Sequence, residues 1–281
     1  MFRTMAAACM FLAASMMAAS TASGAPVVIP RYWDPGKQIS KPGPTSLPRI
    51  RFLTTVDFPP FNFIDQTGHL AGYNIDLARA ICAELQASAV CQVEAIPWAE
   101  LTRTLEDKDG EAIIAGLKPT AELRRKLLFT RSYLRFPARF GVRREAPLQE
   151  PISDGIAGKT VGVVAGSAHE ALLRAYFPDA RIITYSDPVR MAEDLADKKT
   201  DAIFGDGMWL SFWIAGASAH GCCKFAGGPY LAPQFLGLGM TIALRSDEQP
   251  LTDAFDHALR SLEDKGFLAE LYLRYFPIGF Y

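Results

Sequence analysis

The residues best suited to bind a small polar molecule follow the ends of predicted β-strands. Asp57 and Phe58 follow a strand at 50–55, and Asp206 closes the strand "DAIFGD". Ligands of open parallel sheets bind at the carboxyl ends of strands. The strand ends therefore give a candidate set: Thr55, Asp57, Phe58, Trp98, Gly116, Leu117, Lys118, Thr120, Gly166, Ser167, Ala168, His169 and Asp206.

The chemistry of these residues is complementary. Phe58 and Trp98 can sandwich an apolar or planar group. Backbone N–H groups at Ser167 and Ala168, where a helix is predicted to begin, can hold a carboxylate, and Lys118 adds positive charge. Asp206 can pair with an ammonium group. An anion site, a cation site and an aromatic clamp together suit an α-amino acid.

Each of these residues alone also has a structural interpretation. The two aromatic side chains could belong to the core, Lys118 could be solvated, and Asp206 could cap the helix that follows it. The turn at Gly166-Ser167 is an ordinary strand-to-helix connection. We favour a binding site because all of them are placed at strand ends.

Two βαβαβ units are predicted to position these residues. Helical spacing joins Ile75 to Leu85 and Trp98 to Leu105, between strands "IRFLTT", "CQVEAI" and "EAIIAG". The order recurs from "KTVGVVAG" to "DAIFGD", with helices at 169–177 and 189–198. A buried helix at 207–223, a strand "GMTIAL" and an amphipathic helix through 259–271 follow. This alternation predicts an α/β fold with parallel sheets flanked by helices, arranged as two lobes.

The N-terminus predicts export. Arg3, an apolar run at 5–19 and small residues at 22–24 are typical of a secretory signal peptide over 1–24. A proline-rich lead-in follows at 25–47. No later run reaches the roughly 18 apolar residues of a membrane span, so we expect a soluble periplasmic protein. The formal net charge of −1 argues against nucleic acid as a partner.

Four cysteines follow the signal peptide. Their even number in an oxidising compartment indicates disulfides, and we favour Cys82–Cys91 across a short loop. For Cys222 and Cys223 a bridge between neighbours and two buried thiols both remain open. No cluster has zinc-like spacing, so neither a metal nor a cofactor is predicted.

Five stretches resemble the bacterial family 3 solute-binding proteins, the periplasmic receptors of amino-acid ABC transporters. They are "FPPFNFIDQTGHLAGYNIDLARAI", "IPWAELTRTLEDKDGEAIIAGLKPT", "GKTVGVVAGSAHEALL", "TDAIFGDG" and "DKGFLAELYLRYF". The resemblance implies a type II periplasmic-binding-protein fold with two hinge strands. Lobe 1 would comprise 48–135 and 235–281, and lobe 2 would comprise 136–234. It also implies a monomer that closes on its ligand and delivers it to a permease.

The resemblance also assigns roles to residues. Phe58 falls where the family stacks an aromatic ring on the ligand, and Trp98 falls on a second side-chain contact. Gly116 and Lys118 fall where carbonyl and hydroxyl groups hold the α-ammonium. The carboxylate-binding turn corresponds to Ser167 and Ala168, and the ammonium-binding carboxylate corresponds to Asp206. Cys82 and Cys91 match a disulfide seen in some relatives.

One motif departs from the family. The arginine of its T-x-x-R motif, which grips the ligand carboxylate, is replaced by Leu123, and the next arginine is Arg124. Lys118 stands where the family has serine or threonine. Three alternatives remain: Lys118 binds the carboxylate, Arg124 does, or the ligand is not a standard α-amino acid. Of the two cations we expect Lys118, because Arg124 is one residue out of phase, a rotation of about 100° on a helical turn.

The predicted function is solute binding rather than catalysis. The alternative is an enzyme on the same fold, a dehydratase acting on prephenate or arogenate, which would need a general acid over the ring. The candidates are Asp57, Glu100 and His169, and we expect His169 to cap its helix or to face solvent. A sensor is a third class, but no kinase segment accompanies the chain.

Overall fold

A computed structural model describes residues 49–281 of the chain. The predicted signal peptide and the predicted lead-in at 25–47 lie outside the described residues. The described part forms two lobes, each built around a five-stranded sheet. None of the helices in residues 49–281 is long and apolar enough to cross a membrane.

The chain begins in lobe 1, whose elements alternate between short strands and helices. The strands are β1 (Ile50–Thr54), β2 (Asp57–Phe58), β3 (Asn62–Ile64), β4 (Leu70–Ala71), β5 (Cys91–Ala95), β6 (Ala112–Ile113) and β7 (Leu127–Phe129). The helices are α1 (Tyr73–Glu84) and α2 (Leu101–Glu106). Apolar residues at helical spacing, including Ile75, Ala78 and Ile81, give α1 a buried face.

Lobe 2 follows, and the chain then returns to lobe 1. Lobe 2 contains β8 (Ala138–Arg143), α3 (Ile152–Gly155), β9 (Thr160–Val164), α4 (Ala168–Tyr176), β10 (Arg181–Tyr185), α5 (Pro188–Ala196), β11 (Ala202–Asp206), α6 (Gly207–Ala215), β12 (Cys223–Tyr230) and α7 (Pro233–Leu236). The returning segment contains β13 (Ala243–Arg245), α8 (Gln249–Asp264) and α9 (Phe267–Tyr275).

The sheet orders explain why the predicted residues meet. In lobe 1 the order is β5-β1-β6-β13-β7, and in lobe 2 it is β10-β9-β11-β8-β12. Strand β1 is parallel to β5 and β6, and β9 is parallel to β10 and β11. The carboxyl ends of these strands therefore share one edge of each sheet. Strands β7, β8, β12 and β13 pair antiparallel, so each sheet is mixed rather than wholly parallel.

The returning segment completes the core of lobe 1. The ring of Phe52 in β1 stacks on Phe255 of α8, with centroids 5.1 Å apart. Between the lobes, Arg139 of β8 donates a hydrogen bond to the carbonyl of Phe280 at 3.2 Å. The C-terminal residues therefore contact both lobes close to the links that join them. These observations confirm the predicted two-lobed α/β fold.

Both cysteine pairs form disulfides. Cys82, near the end of α1, is bonded to Cys91 at the start of β5, which confirms the predicted bridge. The neighbouring residues Cys222 and Cys223 are also bonded to each other. Of the two alternatives left open by the sequence, the structure thus has the bridge between neighbours.

Several predicted boundaries were wrong for local reasons. The helix predicted from Trp98 begins at Leu101, because Trp98–Glu100 after Pro97 forms a tighter 3₁₀ turn. The predicted helix at 207–223 ends at Ala215, where Gly216 has an extended backbone. The single C-terminal helix is two helices, since Gly266 adopts a left-handed conformation with φ +77°.

Two predicted strands are shorter than their apolar patterns suggested. Strand "EAIIAG" reduces to Ala112–Ile113, and Gly116 turns the chain with φ +80°. Of "GMTIAL", only the last two residues belong to a strand, which runs over Ala243–Arg245. Met240 makes an isolated bridge with Leu134. A buried segment is apolar in sequence whether or not its backbone pairs in a sheet. The apolar pattern therefore overestimated the length of these strands.

Candidate ligand-binding site

The loop after β1 presents Phe58 at the edge of lobe 1. Phe58 is 36% exposed, and its ring packs on the fully buried ring of Phe61, with centroids 4.8 Å apart. The ring also covers Gly116, because a β-carbon built there would lie 2.8 Å from Phe58 Cε1. The two predicted residues Phe58 and Gly116 are therefore in contact, at the adjacent ends of β1 and β6.

A buried polar network holds this loop in place, and sequence reasoning missed it. Asn62 Nδ2 donates to the hydroxyl of Thr55 at 2.7 Å, and Asn74 Nδ2 donates to Asn62 Oδ1 at 2.9 Å. The Tyr133 hydroxyl donates to Asn74 Oδ1 at 2.8 Å. Thr55 is only 3% exposed, so its hydroxyl supports the loop. Two asparagines twelve residues apart beside aromatic residues were the only sequence signal.

Trp98 and the same loop line a shared depression. Its volume is about 280 Å³, and its walls are Thr55, Val56, Asp57, Ala95, Ile96, Pro97 and Trp98. Trp98 is 51% exposed, a high value for a tryptophan side chain. The structure thus brings the predicted residues Thr55, Asp57 and Trp98 together, with the indole available to a ligand.

The segment after β6 contains Lys118, Leu123 and Arg124, the three residues considered above for binding of the ligand carboxylate, and it places them in different surroundings. Leu123 packs in the core of lobe 1 beside the buried Leu117, so neither side chain faces solvent freely. Arg124 places its guanidinium carbon 5.4 Å from the ring centre of Phe129. Lys118 is exposed, and its Cε lies 3.7 Å from a β-carbon built on Gly237 of the returning segment. Lys118 thus lies beside the segment in which the chain returns from lobe 2 to lobe 1.

In lobe 2 the turn after β9 leads into α4, and side chains cap the N-terminus of this helix. Ser167 is the N-cap: its hydroxyl accepts the N–H of Glu170 at 3.1 Å and donates to the Val164 carbonyl at 2.6 Å. Glu170 in turn accepts the Gly166 N–H at 2.7 Å. The first N–H groups of a helix have no partner within the helix, so Ala168 sits where an anion is attracted.

Asp206 ends β11 beside this turn, because β11 and β9 are neighbours in the sheet. Its carboxylate accepts the Trp209 N–H at 2.9 Å and so caps α6. Burial raises the pKa of the Asp206 carboxyl above its usual value, and the bond from Trp209 and the nearby His169 oppose that rise. The carboxylate is therefore poorly solvated and would gain from a cationic partner.

The expectation for His169 was wrong. Ser167, not His169, caps α4, and His169 lies half-buried with its ring 6.4 Å from that of Phe204. Burial lowers the pKa of His169, while the negative charge of Asp206 acts in the opposite direction. The sequence signal was present, since His169 is the second residue of a helix that begins next to the end of β11.

The arrangement consists of two half-sites with different chemistry. Lobe 1 offers exposed aromatic rings and the ammonium of Lys118, whereas lobe 2 offers a helix N-terminus, the carboxylate of Asp206 and the imidazole of His169. A small molecule with an ammonium group, a carboxylate and an apolar part could satisfy all of them. Within residues 49–281, no three histidine, cysteine or acidic side chains are grouped so as to hold a metal ion.

Known proteins with similar sequences bind solutes. Residues 50–278 match the family model described as bacterial extracellular solute-binding proteins, family 3. One similar protein is the ABC transporter arginine-binding protein 1 of Escherichia coli (strain K12). It is 25% identical over 235 residues, which cover 84% of this chain and 93% of that protein.

Two solved structures illustrate the range of proteins with this fold. The L-cystine solute receptor of Neisseria gonorrhoeae, in an unliganded open conformation, gives a TM-score of 0.69 at 17% identity and covers 81% of this chain and 92% of its own. An ancestral cyclohexadienyl dehydratase gives 0.66 at 21% identity, with coverage of 81% and 92%. At these identities the likeness shows the fold alone.

Proposed function

Since the chain belongs to the family 3 bacterial extracellular solute-binding proteins, we propose that it captures an amino acid or a related small acid between its lobes. It then delivers this ligand to the permease of an ABC transporter. A similar protein named for arginine binding supports the ligand class. We place the protein in the periplasm, after removal of residues 1–24, as a monomer.

The observation that carries the proposal is the position of Phe58 and Asp206 in the two sheets. Phe58 follows β1 and covers the end of β6 in lobe 1, while Asp206 ends β11 in lobe 2. Each lies at the carboxyl end of parallel strands, where ligands of such sheets bind. Lobe 1 would supply the ring, and lobe 2 would supply the carboxylate for the ammonium group.

The ligand carboxylate is assigned to Lys118 together with the N-terminus of α4. Leu123 carries no charge and packs inward, and the guanidinium of Arg124 lies over Phe129. The stem of Lys118 is exposed and reaches Gly237. An ammonium is a point charge without the paired donors of a guanidinium, so this site should accept more varied acids than an arginine site.

The surroundings of the three candidate acids favour solute binding over a dehydratase activity. Asp57 and Glu100 are both exposed to solvent in lobe 1. Burial lowers the pKa of His169, so its imidazole is neutral there and is a poor proton donor. Two of the three candidates are thus exposed and the third is a poor proton donor, which supports solute binding rather than catalysis.

A thermal-shift screen over amino acids and related acids tests the proposal. A ligand present at 100 times its Kd should add about 2.7 kcal/mol to the free energy of unfolding by mass action. We expect at least one amino acid or small acid to raise the melting temperature in a concentration-dependent way. Prephenate and arogenate are included with an assay for their products, and turnover of either would favour the enzyme instead.

A further inference from the structure

An apolar groove, which we call the α6 groove, runs along helix α6 and is lined by both lobes. One depression of about 490 Å³ is lined by Pro59, Pro60, Met208, Trp209, Phe212 and Trp213. A second, of about 440 Å³, lies between Phe212 at one end and the segment Leu273–Pro277 at the other. Phe212 lines both depressions, so they form one continuous strip.

The α6 groove has the composition of a binding surface. Phe212 is 39% exposed and Leu273 is 56% exposed. Contiguous exposed apolar surface of this kind marks an interaction site in a soluble protein. The one charged side chain lining the two depressions, Arg274, already pairs with Asp76 and Glu270. The groove therefore suits an occupant that is apolar and aromatic rather than charged.

The α6 groove adjoins the candidate ligand site, because Pro59 follows Phe58 in the chain and the Trp209 N–H donates to Asp206, but it has its own lining. Its lining shares no residue with the depression at Trp98 or with the turn at Ser167. Its walls combine Pro59 and Pro60 of lobe 1 with one face of α6 in lobe 2. An occupant would therefore touch both lobes without filling the place of the solute.

We propose that the α6 groove binds the segment at 25–35 of the same chain. This segment reads "APVVIPRYWDP" and combines three prolines with Val27, Val28, Ile29, Tyr32 and Trp33. Proline-rich segments dock into aromatic-lined grooves because proline restricts the free chain, so that binding costs less conformational entropy. Trp209, Phe212 and Trp213 provide such a lining.

The attachment point of the segment permits this contact. The described chain begins at Arg49, which is fixed by an ion pair with Glu111 at 2.8 Å. From there the chain crosses lobe 1 as strand β1, which ends at Thr54, and Pro59 of the α6 groove follows five residues later. The 13 residues from 36 to 48 span about 40 Å when extended as polyproline II. That length matches the diameter of a lobe of this size, roughly 35–40 Å.

The family match does not account for the segment. The match covers residues 50–278, so residues 25–47 lie outside the part of the chain that the family model describes. In water, the apolar and aromatic side chains near the start of this segment gain free energy by packing against another apolar surface. The proposal is independent of which solute the protein binds.

A site-specific cross-link tests this contact in the full mature protein. A photoreactive phenylalanine analogue replaces Phe212, and a matched control replaces Val189, which is 50% exposed on α5. Peptide mapping after illumination should find a cross-link within one molecule between position 212 and residues 25–35. The control position should give none with that segment. Intact mass must first show that the mature protein retains residues 25–35, and a later mature N-terminus would refute the proposal.

Other outcomes of the cross-link also overturn the proposal. The first is a cross-link that forms only between two molecules and increases with protein concentration. The second is a cross-link to a co-purifying protein, and the third is no cross-link at all. A second measurement leaves the groove itself unchanged. The double variant Tyr32→Ser, Trp33→Ser should lose protection of the amides of 207–216 from hydrogen exchange, whereas Lys37→Ser, Gln38→Ser should keep it. Equal exchange in both variants would contradict the contact.

Discussion

The ring of Phe58 lies on the main chain of Gly116 so closely that position 116 has no room for a β-carbon. A β-carbon there would fall 2.8 Å from Phe58 Cε1, and the φ of +80° at Gly116 also disfavours any other residue. From the other side, the buried ring of Phe61 supports Phe58 at 4.8 Å. The aromatic wall of the site is thus positioned by the glycine at the end of the neighbouring strand.

Replacing Gly116 by alanine should therefore damage both stability and binding. The left-handed backbone costs a non-glycine residue about 1–3 kcal/mol, and the new methyl group must displace the Phe58 ring. Chemical denaturation would measure the first effect and ligand titration the second. Gly158→Ala is the control, because its φ is +68° but nothing lies within 4 Å of the added carbon. If Gly116→Ala binds the ligand as well as Gly158→Ala does, Phe58 is not part of the site.

Lys118→Met should weaken binding of the best carboxylate ligand more than Arg124→Met does. A carboxylate in a partly dehydrated cleft needs a nearby positive charge, and Lys118 is exposed beside Gly237. Arg124 instead lies over Phe129. Calorimetric titration of both variants with the same ligand compares them directly. Loss of binding in Arg124→Met together with intact binding in Lys118→Met would show that the arginine of the family motif has moved by one residue.

His169 should make the protein less stable in mild acid. Burial lowers its pKa in the folded state below the unfolded value of about 6.5, so the folded state binds fewer protons there. The stability contributed by the neutral imidazole is complete above that unfolded value. It is lost as pH falls through the folded pKa, and melting temperatures recorded downward from pH 7.5 would show the loss.

The variant His169→Asn should flatten this acid dependence, whereas the exposed His220→Asn should retain it. Asparagine tolerates the left-handed backbone of His220, where φ is 47°. Asp206 acts in the opposite direction, because burial raises its pKa and its contribution falls as pH rises through the folded value. Identical pH profiles for the wild type and His169→Asn would contradict a buried neutral imidazole.

Removing the Cys82–Cys91 bridge should lower stability measurably. The bridge joins residues nine apart, and closing a loop of this size stabilises a fold by about 2–3 kcal/mol in the chain-entropy account. The double variant Cys82→Ser, Cys91→Ser should therefore unfold at lower denaturant than the wild type. The matched variant Cys222→Ser, Cys223→Ser removes a loop between neighbours and should lose less. The reverse order of stabilities would contradict this account.

The sequence predicted the parts of the site that depend on strand order. Asp206 and Ser167 could be placed together because alternating strands and helices put their strand ends at one edge, and the structure has β9 and β11 as neighbours. The antiparallel position of β13 between β6 and β7 could not be predicted, since it depends on a return of the chain after a whole lobe.

Contacts between side chains distant in sequence were also beyond prediction. The bond of Tyr133 to Asn74 joins residues 59 apart, and neither residue carries a local signal for the other. Similarly, the sequence favoured Lys118 over Arg124 only by helical phase, and it gave no sign of the Phe129 ring beneath Arg124. Such choices are set by packing in three dimensions, to which periodicity is insensitive.

The central claim is that Asp206 binds the ammonium group of a ligand held between the lobes. Calorimetric titration of Asp206→Ala with the best ligand from the screen tests it most directly, with Asp187→Ala as the control. Both changes remove a helix N-cap, but Asp187 caps α5, through the N–H groups of Val189 and Arg190, after the edge strand β10, which β9 separates from β11. We predict that Asp206→Ala weakens binding by about 2–5 kcal/mol and that Asp187→Ala leaves it unchanged. Unchanged affinity in a folded Asp206→Ala protein would contradict the account.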